Sequence, residues 1–181
     1  MESALAWIGQ VAEWIGRWIP RWVVLDVMTG GIKYVRGRPY YCPPGRIHWY
    51  WPAITTFDTY PVVRQADDLR SQTIVTADNR IIIVGGMIVY EVDDLMKLLP
   101  RVFKAEQAIR DMTLACIHSV CCGLTLDELR RMQRKGTLDT KLRNEARKSL
   151  EAFGVGVIKV QLTDLAPARV LKVFQTVGKD E

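Results

Sequence analysis

The hydrophobic residues of the first twenty positions recur with the spacing of an α-helix. Ser3 is a suitable N-cap and Pro20 interrupts the far end, so we predict an amphipathic helix over residues 1–20. Trp7 and Trp14 flank its apolar stripe, whose members recur at intervals of three and four: Leu5, Ile8, Val11, Ala12, Ile15, Trp18, Ile19 and Trp22.

Beyond Pro20 the pattern changes to the alternation that is typical of β-strands. Asp78-Asn79 is a hairpin signal, and Gly85-Gly86 predicts a bulge or a close backbone contact inside the strand that follows it. The predicted strands are Trp22–Val27, Ile32–Arg36, part of Ile47–Trp51, Thr56–Arg64, Leu69–Thr76 and Arg80–Tyr90.

From Asp93 onward the periodicity is helical. Thr125 and Glu128 predict a capping box at the start of one helix, and Gly123 and Gly154 are stop signals. The predicted helices are Asp93–Leu99, Lys104–Cys122, one that begins after Thr125, Leu138–Phe153, and a last one from Pro167 to about Val177, preceded by a strand over Val155–Leu162.

Strands followed by helices and one closing strand indicate an α+β fold: a curved, mostly antiparallel sheet with helices packed on one side, preceded by the amphipathic helix. We divide the chain into that helix (1–20), one domain (21–177) and a short tail (178–181). Within the domain, residues 21–91 are rich in strands, 92–154 are rich in helices, and 155–177 supply the closing strand and helix.

Tryptophan and positive charge are concentrated at the start of the chain. All six tryptophans lie before residue 52, and residues 1–50 carry six Lys/Arg against three acids, whereas the rest carries nineteen against seventeen. Basic residues mixed with tryptophan favour an anionic membrane surface as the partner. Nucleic acid is the competing polyanion, but the chain shows no recognised nucleic-acid motif, and a modest positive excess is also common for solubility alone.

The wide stripe of the first helix can be explained in two ways: it packs on its own domain, or it lies in the plane of a membrane interface. Its tryptophans favour the second, because an indole is stable at the boundary between water and lipid. A spanning helix is disfavoured, since Glu13 and Arg17 would each cost ~2.5–3.5 kcal/mol at mid-bilayer. The residues predicted to bind the membrane are Trp7, Trp14, Arg17, Trp18, Arg21, Trp22, Tyr40 and Tyr41.

The stretch YYCPPGRIHWYWP, residues 40–52, combines aromatic residues with prolines. We predict that it has two roles. The alternating Ile47, Trp49 and Trp51 fill the core while His48 and Tyr50 point outward, and residues 40–44 form a turn whose tip touches the membrane. The alternative is that the whole stretch packs internally.

The four cysteines do not form a disulfide framework, so we predict reduced thiols in a cytosolic compartment. Cys42 is a candidate for S-palmitoylation if its segment meets lipid, although an unmodified thiol is the simpler expectation. His118 and Cys122 could share a helix face near Cys116 and Cys121, but core packing is favoured over a metal site there. We predict no metal, no cofactor and no catalytic residues.

Three segments, in order, resemble the stomatin/prohibitin/flotillin group, also known as the SPFH or band-7 domain. They are GGIKYVRGRPYYCPPGRIHWYWPAITTFD, DLRSQTIVTADNRIIIVGGMIVYEVDD and the stretch from LTLDELRRMQRKG to LAPARVLKVF, and the resemblance covers roughly Val24 to Phe174. The chain departs from the family in ending at Glu181, where the family usually continues into a long coiled coil.

The resemblance implies a non-catalytic, stomatin-like scaffold on the cytoplasmic face of a membrane. Such a scaffold would form homo-oligomers and organise lipids or partner membrane proteins, with contacts between copies through the Arg80–Tyr90 strand or the charged Leu138–Phe153 helix. The alternative is a soluble adaptor that docks its tryptophan-rich N-terminal helix in a groove of a partner protein.

Overall fold

The computed structural model describes Trp14, Gly16 and residues 19–168. Within that part of the chain the fold is α+β, as the sequence predicts. The strands are β1 (Arg21–Val24), β2 (Thr29–Val35), β3 (Arg38–Cys42), β4 (Ile47–Tyr50), β5 (Thr55–Pro61), β6 (Gln65–Val75), β7 (Ile81–Val92) and β8 (Val155–Pro167). The helices are α1 (Leu95–Leu98), α2 (Ala105–Cys122), α3 (Leu126–Arg134) and α4 (Thr137–Leu150), and a 3-10 turn follows at Glu151–Phe153.

The strands form three antiparallel sheets with the orders β1-β4, β3-β2-β5 and β6-β7-β8. The predicted hairpin joins β6 to β7: Val75 pairs with Ile81, and Asn79 has a φ of 59°, the left-handed conformation that asparagine tolerates in turns. The antiparallel strand pairing predicted from the sequence is therefore confirmed, and the strands are divided among three separate sheets.

The main core lies between the β6-β7-β8 sheet and the helices. Alternate residues of β7 point inward and are fully buried, among them Ile82 and Ile88. α4 contributes a fully buried stripe of apolar residues at helical spacing to the same core: Leu138, Leu142, Ala146 and Leu150. The capping box predicted for α3 is present, with Thr125 and Glu128 each satisfying the other's backbone N–H.

Gly85 and Gly86 mark the irregular, closely packed point of β7 that the sequence predicts. The pairing with β8 shifts register between them. A Cβ on Gly86 would lie 2.9 Å from the Gln161 carbonyl oxygen, and one on Gly85 would lie 2.8 Å from a carboxylate oxygen of Asp164. The absence of side chains lets β8 approach β7 closely at this point.

Two predicted boundaries are wrong because strand pairing extends further than local signals suggest. Residues 38–42 form β3, paired with β2, where the sequence predicts a turn from residue 40. β8 continues to Pro167 because its partner β7 runs beside it that far, so the predicted closing helix does not begin there. The remainder of that predicted helix lies outside the described residues, as does the amphipathic helix of residues 1–20 apart from Trp14, Gly16, Ile19 and Pro20.

The small β1-β4 ribbon covers one face of the β3-β2-β5 sheet. Phe57 of β5 contacts the ribbon, with ring centroids 6.5 Å from His48 and 6.0 Å from Tyr50. The opposite face of the same sheet turns toward the main core, where Gly30 approaches the Leu95 side chain of α1 and Ile32 is fully buried. The ribbon is thus the outermost layer of this end of the molecule.

Candidate membrane-binding face

The outer side of the β1-β4 ribbon is apolar and uncovered. Trp22 pairs with Trp49 and Val24 pairs with Ile47, and directly paired residues of antiparallel strands lie on the same side. Their exposed fractions are 65%, 56%, 69% and 63%, and Trp51, just beyond β4, is 52% exposed. We call Trp22, Val24, Ile47, Trp49 and Trp51 the ribbon face.

This arrangement reverses the prediction that Ile47, Trp49 and Trp51 fill the core. His48 and Tyr50 point inward instead, against Phe57, and His48 Nε2 lies 3.2 Å from the Pro43 carbonyl oxygen. The prediction of a short strand here is correct, and the assignment of its two sides is wrong. Only one side of this two-stranded ribbon packs against the sheet. That side carries His48 and Tyr50, which combine an aromatic ring with a polar atom.

The ribbon face continues into the turn at the end of the ribbon. Val27 and Met28 are 75% and 59% exposed there. Backbone hydrogen bonds join this turn to the next one: Gly45 N–H donates to the Asp26 carbonyl oxygen, and Leu25 N–H donates to the Arg46 carbonyl oxygen. Exposed apolar residues of both strands and of the turn therefore form one patch, and patches of that kind mark interaction sites.

Basic residues outnumber acidic ones in the part of the described chain that carries this patch. Residues 19–61 contain only two acids, Asp26 and Asp58, against five basic residues: Arg21, Lys33, Arg36, Arg38 and Arg46. In the part of the chain that the structure describes, every ion pair lies among residues 64–148, so none of these five cations is in one. The ribbon end of the molecule is cationic and aromatic together, which suits an anionic lipid surface.

The structure places the predicted membrane residues unequally. Trp14, Arg21 and Trp22 are exposed, whereas Trp7, Arg17 and Trp18 lie outside the described residues. Tyr40 and Tyr41 are half exposed, but as neighbours in β3 they point to opposite faces of the sheet. Tyr40 pairs with Lys33, and Tyr41 pairs with Ile32, whose side chain is in the main core.

Cys42 is enclosed rather than presented to solvent. Its side chain is 5% exposed, and burial raises the pKa of the thiol, an effect that nearby Lys33 only partly opposes. An acyl-transfer reaction on this thiol would require β3 to open first.

The cysteine and histidine residues of α2 pack at its C-terminal end. His118 and Cys122 do share a face, with the Cys122 sulfur 3.6 Å from the histidine ring nitrogens. Cys121 is fully buried, and desolvation raises the pKa of its thiol to about 11. Residues 19–168 contain no group of three or more His, Cys, Asp or Glu arranged to hold a metal ion.

No single helix in the described part of the chain combines the length and the hydropathy needed to cross a bilayer. α2 and α3 reach both criteria only when they are taken together, across a bend of 113°.

The sequence reasoning missed Val24, Ile47, Trp49 and Trp51 as surface residues. One sequence feature could have indicated them. The runs Trp22-Val-Val24 and Ile47-His-Trp49 each carry large apolar residues at alternate positions, so they can pair as two strands with these residues on the same side. Once these are paired, one side becomes purely apolar and the other carries His48 and Tyr50. Alternation alone does not say which side is covered.

Comparison with known proteins finds one family profile that matches the whole of residues 21–177. The profile described as SPFH domain / Band 7 family matches residues 21–180. An uncharacterized protein of Methanocaldococcus jannaschii is 25% identical over 105 residues, 58% of this chain and 52% of that protein. An uncharacterized protein of Methanothermobacter thermautotrophicus is 24% identical over 116 residues, 64% of this chain and 36% of that protein. The match therefore spans about half of the first relative and about a third of the second.

Proposed function

This chain belongs to the SPFH domain / Band 7 family, and from that premise we propose that it is a non-catalytic scaffold bound to an anionic membrane surface. Members of this family are generally membrane-associated scaffolds rather than enzymes. The specific proposal is that the ribbon face and residues 1–20 attach the protein to lipid in a stomatin-like manner. Homo-oligomers built on that surface would then organise lipids or partner membrane proteins.

The observation that carries the proposal is the ribbon face together with neighbouring cations that form no ion pair with any described residue. Tryptophan is the side chain best suited to the headgroup region, because its ring is apolar and its N–H stays hydrated. Each Lys or Arg close to an anionic leaflet adds about 1 kcal/mol of attraction. Arg21, Arg38 and Arg46 belong to or adjoin the strands that carry the exposed aromatic rings. Apolar contact and charge attraction would therefore act at the same end of the molecule.

We place the scaffold on the cytoplasmic face. Its four cysteines are free, and Cys121 and Cys122 are adjacent in α2. Thiols that remain reduced are typical of the cytosolic compartment, and the anionic leaflet that attracts basic segments faces the same side.

For self-assembly we propose the exposed side of α4. β7, the other predicted contact, is the central strand of its sheet and pairs with β6 and β8 along both edges, so it offers no free edge. α4 exposes Lys141, Arg143 and Arg147 beside Glu145, whose carboxylate binds Lys148. Charges of both signs on one helix suit side-by-side copies of the chain.

Flotation with vesicles tests the attachment. The full chain should float with vesicles that contain phosphatidylserine or phosphatidylglycerol, float weakly with pure phosphatidylcholine, and be released in part by high salt. A chain that lacks residues 1–18 should bind more weakly but should still prefer anionic vesicles, because the ribbon face remains. Its thermal melting transition should stay cooperative, since every buried residue in the described part of the chain lies at Leu25 or beyond. No flotation of the full chain under any of these conditions would refute the proposal.

Light scattering tests the assembly. We expect oligomers on lipid nanodiscs or in mild detergent, and a shift toward smaller species when Arg143 and Arg147 are both replaced by Glu. A monomer at tens of micromolar in the presence of lipid would contradict the scaffold. Capture by a protein partner without any lipid binding would favour the soluble adaptor instead.

A further inference from the structure

A small pocket opens beside the ribbon face, between the end of β4 and the β3-β2-β5 sheet. Its volume is about 350 Å³, near the lower end of the range for ligand pockets. Most of its wall is apolar, and Trp49 and Trp51 belong to both the pocket and the ribbon face. The other wall residues that matter for a ligand are Lys33, Val35, Ile54 and Thr55.

The local fold explains why this pocket exists. Lys33 and Val35 are alternate residues of β2 and point to the sheet face that the ribbon covers. Tyr50 contacts Phe57, which pairs with Lys33 across β2 and β5. The ribbon therefore rests on the sheet at the level of Lys33 and Phe57. Beyond Tyr50 the chain leaves the ribbon, and residues 51–54 form a turn that returns to β5. The covering therefore ends over Val35 and Thr55, and a gap with apolar walls is left.

Among the described residues, Lys33 is the only charged one that lines the gap. Its Nζ donates a hydrogen bond of 2.8 Å to the Trp49 carbonyl oxygen, which holds the ammonium group at the ribbon. An ammonium has three N–H donors, and the described residues include no carboxylate paired with this one. An apolar pocket with a cation at one point is complementary to a ligand that has an anionic head and a hydrocarbon body.

We propose that this pocket binds one anionic phospholipid, with the phosphate on Lys33 and one acyl chain against Val35, Trp51 and Ile54. The inference rests on the proposed membrane attachment and deepens it, because it assigns an individual lipid to a defined site. The location fits, since Trp49 and Trp51 would bring the pocket mouth to the depth of the lipid headgroups. The wall chemistry fits as well, because the apolar residues can take the place of water around the first methylene groups.

The test uses the full chain and short-chain lipids below their micelle concentration, so that no bilayer is present. Dihexanoyl phosphatidylglycerol should bind saturably in isothermal titration calorimetry and should change the tryptophan fluorescence. Diheptanoyl phosphatidylglycerol adds one methylene to the seated chain and should bind about fourfold more tightly. Dihexanoyl phosphatidylcholine, whose headgroup has no net charge, should bind more weakly than either.

Three variants separate the contributions. Lys33→Met keeps the apolar stem and should lower the affinity for dihexanoyl phosphatidylglycerol about tenfold or more, because a charge-assisted contact is lost. Ile54→Phe fills the gap and should weaken binding of both short-chain lipids. Arg70→Met removes an exposed cation of β6, which belongs to neither the ribbon nor the pocket, and should leave short-chain binding unchanged. Thermal melting of each variant checks that it is folded.

The proposed site is overturned if short-chain binding is not saturable, if it does not depend on chain length, or if Lys33→Met and Arg70→Met have equal effects. It is also overturned if folded Ile54→Phe binds like the wild-type chain. Vesicle flotation distinguishes this failure from failure of the proposed function. A protein that floats with anionic vesicles but fails these tests keeps its membrane role and loses the specific site, whereas one that neither floats nor binds short-chain lipid loses both.

Discussion

Trp22 and Trp49 face each other across β1 and β4 on the open side of the ribbon. Their ring centroids are 5.1 Å apart and their planes meet at 89°, an edge-to-face contact of the kind that stabilises aromatic pairs in protein cores. Here more than half of each side chain remains exposed. A paired, ordered and uncovered aromatic cluster is better suited to receive a partner than to hold the domain together.

The first prediction concerns that pair. Replacing both Trp22 and Trp49 with Ser should strongly reduce flotation with anionic vesicles, because the two largest rings of the ribbon face are removed. The matched control is Phe103→Ser. Phe103 is 88% exposed, so it is at least as accessible as the two tryptophans, but it lies on the loop before α2 and belongs to neither strand of the ribbon. Equal losses of flotation from the double variant and the control would mean that exposed aromatic residues bind lipid without regard to position.

The second prediction separates membrane contact from stability. Trp49→Ala should lower the free energy of unfolding by about 1 kcal/mol, chiefly through loss of the Trp22 contact. Leu142→Ala, at a fully buried position of α4, should cost about 2–5 kcal/mol. Chemical denaturation with a common m-value measures both. If Trp49→Ala lowered the free energy of unfolding as much as Leu142→Ala does, Trp49 would have to be a core residue.

Much of the fold could be predicted from local signals. The Asp78-Asn79 hairpin, the Thr125–Glu128 capping box and the Gly85-Gly86 irregularity all depend on a few adjacent residues, and each is present. The length of β8 could not be predicted in that way. Its last residues are held by pairing with the start of β7, about eighty positions earlier, as in Ile82 opposite Pro167.

The site was predictable only in part, for a related reason. Clustered tryptophan and positive charge indicate a membrane partner and point to the first fifty residues. Which tryptophans face outward depends on which side of the ribbon meets Phe57, and that contact joins β4 to a different strand. Size and hydrophobicity favour Trp49 as the inward residue, and the tertiary packing of His48 and Tyr50 overrides that preference.

The third prediction tests the close approach of β8 to β7 at Gly86. Gly86→Ala should destabilise the domain by about 1–3 kcal/mol, because the new methyl group meets the Gln161 carbonyl oxygen, a backbone atom that cannot turn aside. Gly123→Ala is the matched control. Its φ is −81° and the nearest atom to an added Cβ is 3.6 Å away, so the substitution should be neutral or stabilising by up to about 1 kcal/mol. The melting temperature should fall for Gly86→Ala and should stay the same or rise for Gly123→Ala, and a stabilised Gly86→Ala would show that β8 can move away.

The last prediction concerns Asp78, which joins the β6-β7 hairpin to α3. One of its carboxylate oxygens accepts hydrogen bonds from the Thr76 hydroxyl, at 2.5 Å, and from the Leu126 N–H, at 3.2 Å. The Thr76 hydroxyl above all, then the Leu126 N–H and the charge of Arg80, hold the pKa of Asp78 below its ordinary value of 3.8. Because the pKa is lower in the folded state, the ionised carboxylate stabilises the fold at every pH above the ordinary pKa of 3.8. That contribution is lost as the pH falls through the lowered pKa.

Asp78→Asn keeps a residue that is suited to the turn but removes the charge. At pH 7 it should melt at a lower temperature than the wild-type chain, and the difference should shrink as the pH is taken from 5 to 2, because the wild-type carboxylate is itself protonated there. Asp68→Asn is the control, since Asp68 is an exposed acid of β6 in none of the structure's ion pairs. A difference between wild type and Asp78→Asn that is constant across this pH range would show that the hairpin is held to α3 by contacts other than the ionised carboxylate.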